Sequence, residues 1–194
     1  MTGVQTCALP IFPLVSRDTP FTDAEKPYAE SFLGTRGVFP DVGPYSTMLH
    51  MPVVAEKVDS LRRYLRDEAS LPQNVQELVM ISVAREMDCV YIWHAHAAAA
   101  RKNGVRGDII DNIRDKKPLS GLTAAEQAAV DFTRELLRSR KVSKATFDKA
   151  SANFGQRGTL TLTNLVACYA VLAYNMNTYE VGAPAGGTEL PLPV

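Results

Sequence analysis

The chain has 194 residues, of which 46% are hydrophobic and 22% are charged, as is typical of one globular domain with its own core. Lysine and arginine together number 21, as do aspartate and glutamate, so the formal net charge is zero. This balance argues against a broad nucleic-acid-binding surface and a polybasic membrane surface, and no uninterrupted apolar run has the length of a bilayer span.

The first residues are not expected to belong to the fold. The stretch Thr2 to Ile11, TGVQTCALPI, is the direct translation of a common sequencing-library adapter. It predicts that residues 1–11 are an adapter-derived artefact on a gene fragment from environmental DNA. The alternative is a short secretory segment, but no basic region precedes it and its apolar core is very short. We therefore leave this stretch, with Cys7, out of the fold prediction.

The other two cysteines do not indicate a disulfide framework. Cys89 and Cys168 lie far apart in apolar sequence, which is typical of free thiols in a reducing cytoplasm. There is no Cys-x-x-Cys pair and no Cys/His set with zinc spacing. His94 and His96 lie about 200° apart around a helix and cannot chelate one ion together. The sequence therefore predicts no metal and no cofactor.

The N-terminal third predicts an arm, a helix and a loop. Residues 12–21 form an extended lead-in, and a capping box of Thr22 and Glu25 starts a helix that runs to about Leu33. A Gly/Pro-rich loop and short helical turns follow, and PVVAEKVDSLRRYLRDEA has apolar residues at three- and four-residue steps, as in an amphipathic helix.

The remaining segments also predict helices. Ser70 is the expected cap of the helix SLPQNVQELVMISVAREMD, and Gly104 ends the alanine-rich helix from 89. A short helix follows in RGDIIDNIRD, and Thr123 with Glu126 forms a second capping box. Two further helices, divided by a glycine, complete the chain before the Gly/Pro-rich tail 184–194. The predicted fold class is all-α.

Helix 89–104 carries most of the reactive side chains. Cys89, Ile92, Trp93 and His96 are expected on one face. Cys89 and His96 lie about 10 Å apart along the axis, too far for a direct hydrogen bond. Cys89 is then either a small buried hydrophobe or a thiolate favoured by the N-terminus of its helix.

Glu77 is anomalous, because it interrupts the apolar segment VQELVMISVA. A buried carboxylate must be paired, protonated or next to a cavity, and burial would suit it to general acid–base work. The alternative is an exposed Glu77 near Arg85.

The segment LPQNVQELVMISVAREMDCVYIWHAHAAAARKNGV resembles the core of the carboxymuconolactone decarboxylase / alkylhydroperoxidase D-like family. The peroxidase branch has Glu, eleven residues, Cys-x-x-Cys, three residues and His; this chain keeps Glu77, Cys89 and His96 at those spacings. The resemblance covers residues 36–183 and leaves 12–35 as an N-terminal arm and helix.

The resemblance implies an all-helical alkylhydroperoxidase D-like domain that forms homo-oligomers, either trimers or hexamers, with the site near a subunit interface. It implies that Glu77 and His96 form a proton relay and that Cys89 lines the same pocket. It also implies that His50 and Asn177 come from regions that face this pocket.

The chain departs from the peroxidase branch where that branch needs a second thiol, because Ile92 replaces the second cysteine. A dithiol cycle requires two neighbouring thiols. A related branch reads Tyr-Glu-Trp-x-x-His, which Tyr91, Trp93 and His96 match. The resemblance to the decarboxylase branch then implies a cofactor-free lyase or isomerase of aromatic catabolism, and a cytoplasmic location is expected. Its substrate would be a small unsaturated lactone or aromatic-derived acid.

In this interpretation Tyr91, Ile92 and Trp93 build a dry, apolar pocket around His96. Two alternatives remain open. One is a thiol-dependent peroxidase or redox protein that uses Cys89 with an external thiol. The other is a binding protein without catalytic activity.

Overall fold

The computed structural model describes residues 10–183, 186 and 189–193. These residues contain eight α-helices and no strand, so the all-α class is confirmed. The helices are α1 Lys26–Arg36, α2 Tyr45–Met48, α3 Pro52–Arg63, α4 Gln73–Glu86, α5 Val90–Lys102, α6 Gly107–Arg114, α7 Ala124–Ser139 and α8 Lys144–Thr178. A short π-helical segment, Tyr64–Glu68, continues α3. Residues 1–9, which hold most of the predicted artefact, lie outside the described residues.

Helix α4 forms the centre of the fold. It packs against α5, α7 and α8, and its residues from Val75 to Arg85 are buried in succession. A helix that is apolar around most of its circumference is stable only when it is surrounded by other elements. Glu77 lies in this apolar segment, VQELVMISVA, and is therefore inside the protein.

Two helix starts differ from the prediction. Helix α1 begins at Lys26, after Glu25, whose carboxylate accepts hydrogen bonds from the Thr22 backbone N–H at 3.0 Å and hydroxyl at 2.7 Å. Helix α4 begins at Gln73 rather than after Ser70, because Pro72 has an extended ψ of 143°. The capping box of Thr123 and Glu126 is confirmed, with both reciprocal hydrogen bonds formed.

The last long helix, α8, joins the two predicted C-terminal helices. Gly155 divides them with φ 66° and ψ 179°, a left-handed conformation that glycine adopts without steric cost. Unlike the shorter apolar runs of the sequence, α8 is long and apolar enough to cross a membrane by length and composition. However, 56% of its most apolar window is buried in the protein, as in the core helix of a globular fold. The length and composition of α8 are therefore weak evidence for a membrane span.

The C-terminal tail was predicted to be loose, but its described part packs on α5. Trp93 donates a hydrogen bond from Nε1 to the Leu190 carbonyl at 2.9 Å, and Arg101 pairs with Glu189 at 2.9 Å. Leu192 is only 4% exposed. These two polar contacts and the burial of Leu192 hold the described part of the tail against the rest of the protein.

Candidate active site

Glu77 and His96 meet where α4 and α5 lie side by side. The two helices are joined by a tight turn in which Asp88 has a positive φ of 49°. This turn makes the helices neighbours, so residues at similar distances from it face each other. His96 Nδ1 lies 2.8 Å from Glu77 Oε2, within hydrogen-bond distance.

The buried carboxylate of Glu77 has two polar partners. Glu77 is 2% exposed, and Arg66 donates from Nη2 to Oε1 at 3.3 Å while His96 occupies the other oxygen. Burial of a carboxylate is tolerated only when such partners replace water. The alternative of an exposed Glu77 near Arg85 is wrong, since Arg85 pairs with Asp88 instead.

A cavity of about 180 Å³ lies on the other side of His96. Its walls come from the loop before α2 and from α1, α2, α3, the π-helical segment, α5 and α8. The lining residues are Arg36, Val42, Pro44, Tyr45, Arg62, Arg66, Tyr91, Ile92, Ala95, His96, Tyr169 and Leu172. The imidazole therefore contacts the buried carboxylate and also borders the cavity, which Glu77 does not line. In the part of the chain that the structure describes, its Nε2 has no hydrogen-bond partner.

Arginines form one wall of this cavity, and a buried aspartate holds two of them. Asp59 is 1% exposed and accepts hydrogen bonds from Arg36 at 3.0 Å, Arg62 at 3.1 Å and Arg63 at 3.1 Å. Burial raises the pKa of the Asp59 carboxyl, but the charges and hydrogen bonds of Arg62, Arg36 and Arg63 outweigh it and lower the pKa overall. Asp59 is therefore an anion that fixes the guanidinium groups.

Tyrosines form much of the remaining wall. The Tyr169 ring meets His96 edge-on, with ring centroids 5.2 Å apart, and burial raises the pKa of Tyr169 to about 12. Burial also raises the pKa of Tyr45, which stays a neutral phenol at physiological pH. Gly43, with φ 82°, lies so close to the Tyr91 hydroxyl that a β-carbon there would clash. The loop and the tyrosine thus close one side of the cavity.

The predicted substrate-binding residues on α5 fall into two groups. Tyr91 and Ile92 line the cavity beside His96. Trp93 does not, and this corrects the expected pocket: its ring is 2% exposed and its indole N–H bonds the C-terminal tail. One residue turns a helical side chain by about 100°, so Trp93 faces a different neighbour from Ile92.

His50 and Asn177 do not line the cavity, contrary to the expectation from the resemblance. His50 Nε2 lies 2.9 Å from the Pro13 carbonyl, and its ring packs edge-on against Phe12. Asn177 donates to the Met87 carbonyl at 2.7 Å, at the end of α4. Both side chains connect chain segments rather than face the space beside His96.

Cys89 also lies outside the cavity. It is the N-cap residue of α5 with 0% exposure, and burial raises the pKa of its thiol to about 11 although the Ile92 and Tyr91 backbone N–H groups lower it in part. Burial likewise raises the pKa of Cys168 to about 11. The thiolate stabilisation expected from the helix N-terminus is therefore smaller than the cost of burying the charge.

We expect both thiols to resist alkylation in the folded protein. At pH 8 a thiol with a pKa of about 11 is ionised to about one part in a thousand. Iodoacetamide labelling with site-resolved mass spectrometry should show slow reaction at Cys89 and Cys168 and rapid reaction after denaturation. Labelling of native Cys89 as fast as in the unfolded chain would contradict this prediction.

Sequence reasoning missed the basic wall of the cavity. Arg62 and Arg66 are four residues apart in LRRYLR, so they share a helical face, and this spacing was the available signal. Arg36 comes from α1 and could not be associated with them without the fold.

Among the described residues, no group of three His, Cys, Asp or Glu side chains could hold a metal ion.

The segment that holds the pair matches a known family. Residues 52–135, which include Glu77 and His96, match the profile of the Carboxymuconolactone decarboxylase family. The chain is therefore similar to that family over this segment. No curated protein matches the chain significantly in sequence.

Several solved structures of low sequence identity share the fold of this chain. An alkylhydroperoxidase AhpD core protein from Ralstonia eutropha JMP134, an uncharacterized peroxidase-related protein, has a TM-score of 0.71 at 15% identity over 92% of this chain and 94% of that chain. A peroxidase-related protein from Silicibacter sp. TM1040 has a TM-score of 0.66 at 18% identity over 92% and 95%. The debrominase Bmp8 has a TM-score of 0.67 at 16% identity over 90% and 92%. The AhpD-like architecture is therefore confirmed.

Proposed function

We propose that this protein is a cofactor-free acid–base enzyme of lyase or isomerase type that acts on a small unsaturated lactone or aromatic-derived acid. One observation carries the proposal. His96 is bonded through Nδ1 to a buried carboxylate while the imidazole borders a cavity of about 180 Å³. This is the arrangement of an oriented general acid or base. The homo-oligomeric state and the cytoplasmic location remain predictions.

Glu77 would fix which nitrogen of His96 carries a proton. A carboxylate that accepts from Nδ1–H leaves Nε2 as the nitrogen that exchanges a proton with a ligand. The carboxylate also stabilises the imidazolium that forms whenever Nε2 takes a proton. Arg66 holds the other oxygen of Glu77, so the carboxylate stays oriented toward the imidazole.

A decarboxylation would use this pair as follows. The bond between the leaving carboxylate and the ring carbon breaks, and its electron pair moves into the conjugated lactone carbonyl to give a dienolate. Carbon dioxide leaves, and the imidazolium of His96 then donates its Nε2 proton to carbon as the electron pair returns. His96 recovers a proton from water, so the reaction consumes one proton for each carbon dioxide released. An isomerase would instead take a proton from one carbon with neutral His96 Nε2 and return it to another carbon, with no net uptake of a proton and no loss of carbon dioxide.

The cavity itself suits a small substrate. Pockets for drug-sized ligands usually have volumes of about 300–1,000 Å³, and this cavity is smaller. Ile92, Leu172 and the tyrosines contribute apolar surface to its wall, and electrostatic interactions with a dienolate are stronger where such surface displaces water.

The redox alternative has weaker support. Proteins described as peroxidase-related and as a debrominase share this fold, which is compatible with a redox function. However, Cys89 is fully buried and does not line the cavity, and its raised pKa keeps it a protonated thiol. Thiol chemistry needs an accessible thiolate.

The test of the proposal is a panel of small carboxylated butenolides and related unsaturated ring acids. Carbon dioxide release is measured directly, and proton exchange at carbon is followed by NMR in D2O. We expect at least one compound to be turned over without added metal, cofactor or thiol. We also expect Cys89→Ser to keep activity within about threefold, because Cys89 does not contact the cavity.

Two results would contradict the proposal. One is the absence of turnover and exchange across the whole panel. The other is peroxide consumption that needs an external thiol and disappears in Cys89→Ser, which would establish the redox function instead.

A further inference from the structure

We propose that Arg36, Arg62 and Arg66 form a subsite for a carboxylate group that the substrate keeps throughout the reaction. This inference rests on the proposed function and assigns the part of the cavity that recognises the acid. All three side chains line the cavity, and they come from α1, α3 and the π-helical segment. They are only partly buried, with side-chain exposures of 26%, 20% and 31%.

The charges on this wall are not balanced. Asp59 is shared by Arg36, Arg62 and Arg63, and Glu77 is the only carboxylate paired with Arg66 among the described residues. The three guanidinium groups of the wall, with Arg63 outside it, therefore share two carboxylates. An anion in the cavity would reduce this excess of positive charge, and the attraction is stronger than in bulk water wherever protein replaces solvent around the pair.

The guanidinium groups also have hydrogen-bonding capacity to spare. A guanidinium group has five N–H donors, and the bonds of Arg62 to Asp59 and of Arg66 to Glu77 use only some of them. Both side chains line the cavity and are partly exposed, so N–H groups remain for a ligand there. A carboxylate offers two oxygens in one plane, which matches the planar donors of arginine.

The subsite is better suited to a carboxylate that the substrate retains than to the carboxylate that is lost as carbon dioxide. An arginine held against the departing carboxylate would stabilise the ground state and raise the barrier to carbon dioxide loss. An arginine that holds a different carboxylate orients the substrate while the reacting carbon lies near His96. The binding energy of a remote group is then used for orientation.

The geometry favours a planar ligand of modest size. Tyr45, Tyr91 and Tyr169 contribute ring surfaces to the same cavity as the arginines. The shared requirement is a flat, unsaturated ring with a carboxylate. Benzoate has this shape and charge and is a suitable probe, and benzamide is its uncharged counterpart.

The test is a titration of the full chain with sodium benzoate, benzamide and inorganic phosphate at constant ionic strength, followed by protein amide NMR shifts. We expect saturable shifts at Ile92 and Ala95 with benzoate and binding of benzamide that is at least tenfold weaker. Arg62→Gln should weaken benzoate binding by about 10- to 100-fold, the loss expected for one charge-assisted hydrogen bond.

Arg63→Gln is the matched control. It removes the same charge one residue away and breaks a hydrogen bond to the same Asp59, but Arg63 does not line the cavity. We expect its benzoate affinity to stay within about twofold of that of the wild type, because charges outside the cavity are screened by solvent. His96→Ala should also bind benzoate, which separates the subsite from the proton relay.

Three outcomes would overturn the inference. The first is an equal loss of benzoate affinity in Arg62→Gln and Arg63→Gln, which would show a general charge effect. The second is equal binding of benzamide and benzoate. The third is tighter binding of phosphate than of benzoate, which would assign the arginines to a tetrahedral anion. None of these results depends on turnover, so the proposed function is tested separately.

Discussion

Replacing His96 by alanine should lower kcat/KM for the best compound of the panel by about 10²- to 10⁴-fold, the usual contribution of a positioned general acid or base. The imidazole is the group that contacts Glu77 and borders the cavity. Without it, water must supply the proton at carbon, and the buried carboxylate loses one of its two partners. The measurement is steady-state kinetics, with circular dichroism to verify that the variant is folded.

His94→Ala is the control for this substitution. His94 lies on the same helix, loses the same atoms in the variant and does not line the cavity. We expect its kcat/KM to stay within about threefold of that of the wild type. If His94→Ala and His96→Ala lost activity equally, or if His96→Ala kept most of its activity, the proton relay would be rejected. The kcat/KM of a Glu77→Gln variant should lie between those of His94→Ala and His96→Ala, because glutamine keeps the shape of the pair and removes the negative charge.

The helices were predictable from the sequence because they depend on local spacing, whereas the Glu77–His96 pair was expected only from the family resemblance, since the residues alone left an exposed Glu77 open. The nineteen-residue step from Glu77 to His96 spans the end of one helix, a tight turn and the start of the next. The helical hairpin places the two helices side by side, and the packing of α4 and the bond from Arg66 to Glu77 complete the arrangement. Helix ends set by capping boxes or glycines likewise depend on a few neighbouring residues. The predicted capping box of Thr123 and Glu126 was therefore correct in both hydrogen bonds.

The walls of the cavity were harder to predict because they depend on distant segments. Arg36 and Arg62 are brought together by the packing of α1 on α3. No pattern in the neighbouring sequence predicts this packing. The direction of Trp93 depends on a tail almost a hundred residues away, to which it donates its indole hydrogen. Cys89 was placed at the helix N-terminus correctly, but its burial, which decides its pKa, follows from tertiary packing.

Replacing Asp59 by asparagine should lower the free energy of unfolding by about 3 kcal/mol, at the lower end of the range for breaking a buried ion pair because its partners are partly exposed. Asp59 is the shared acceptor for Arg36, Arg62 and Arg63, and it is itself 1% exposed. The asparagine keeps the shape but leaves three guanidinium groups with no counter-charge and one carbonyl oxygen between them. Urea unfolding followed by circular dichroism would measure the difference at pH 7.

Asp23→Asn is the control, since Asp23 makes a surface ion pair with Lys26 at 2.7 Å and its side chain is 96% exposed. An exposed pair contributes little, and we expect a change of at most about 0.5 kcal/mol. An equally small change in Asp59→Asn would show that the arginines do not depend on Asp59.

The pH dependence of the difference between wild type and Asp59→Asn gives an independent test. The pKa of Asp59 is lowered in the folded protein, so its carboxylate binds fewer protons there than in the unfolded chain. Its stabilisation is therefore fully present above the unfolded pKa of about 3.9 and is lost as the pH falls through the lower folded pKa. We expect a constant difference in unfolding free energy from about pH 7 to pH 5 and a decrease below about pH 4. A difference that grew on acidification would mean that Asp59 is protonated in the folded protein, and the arginines would then have to be held by other groups.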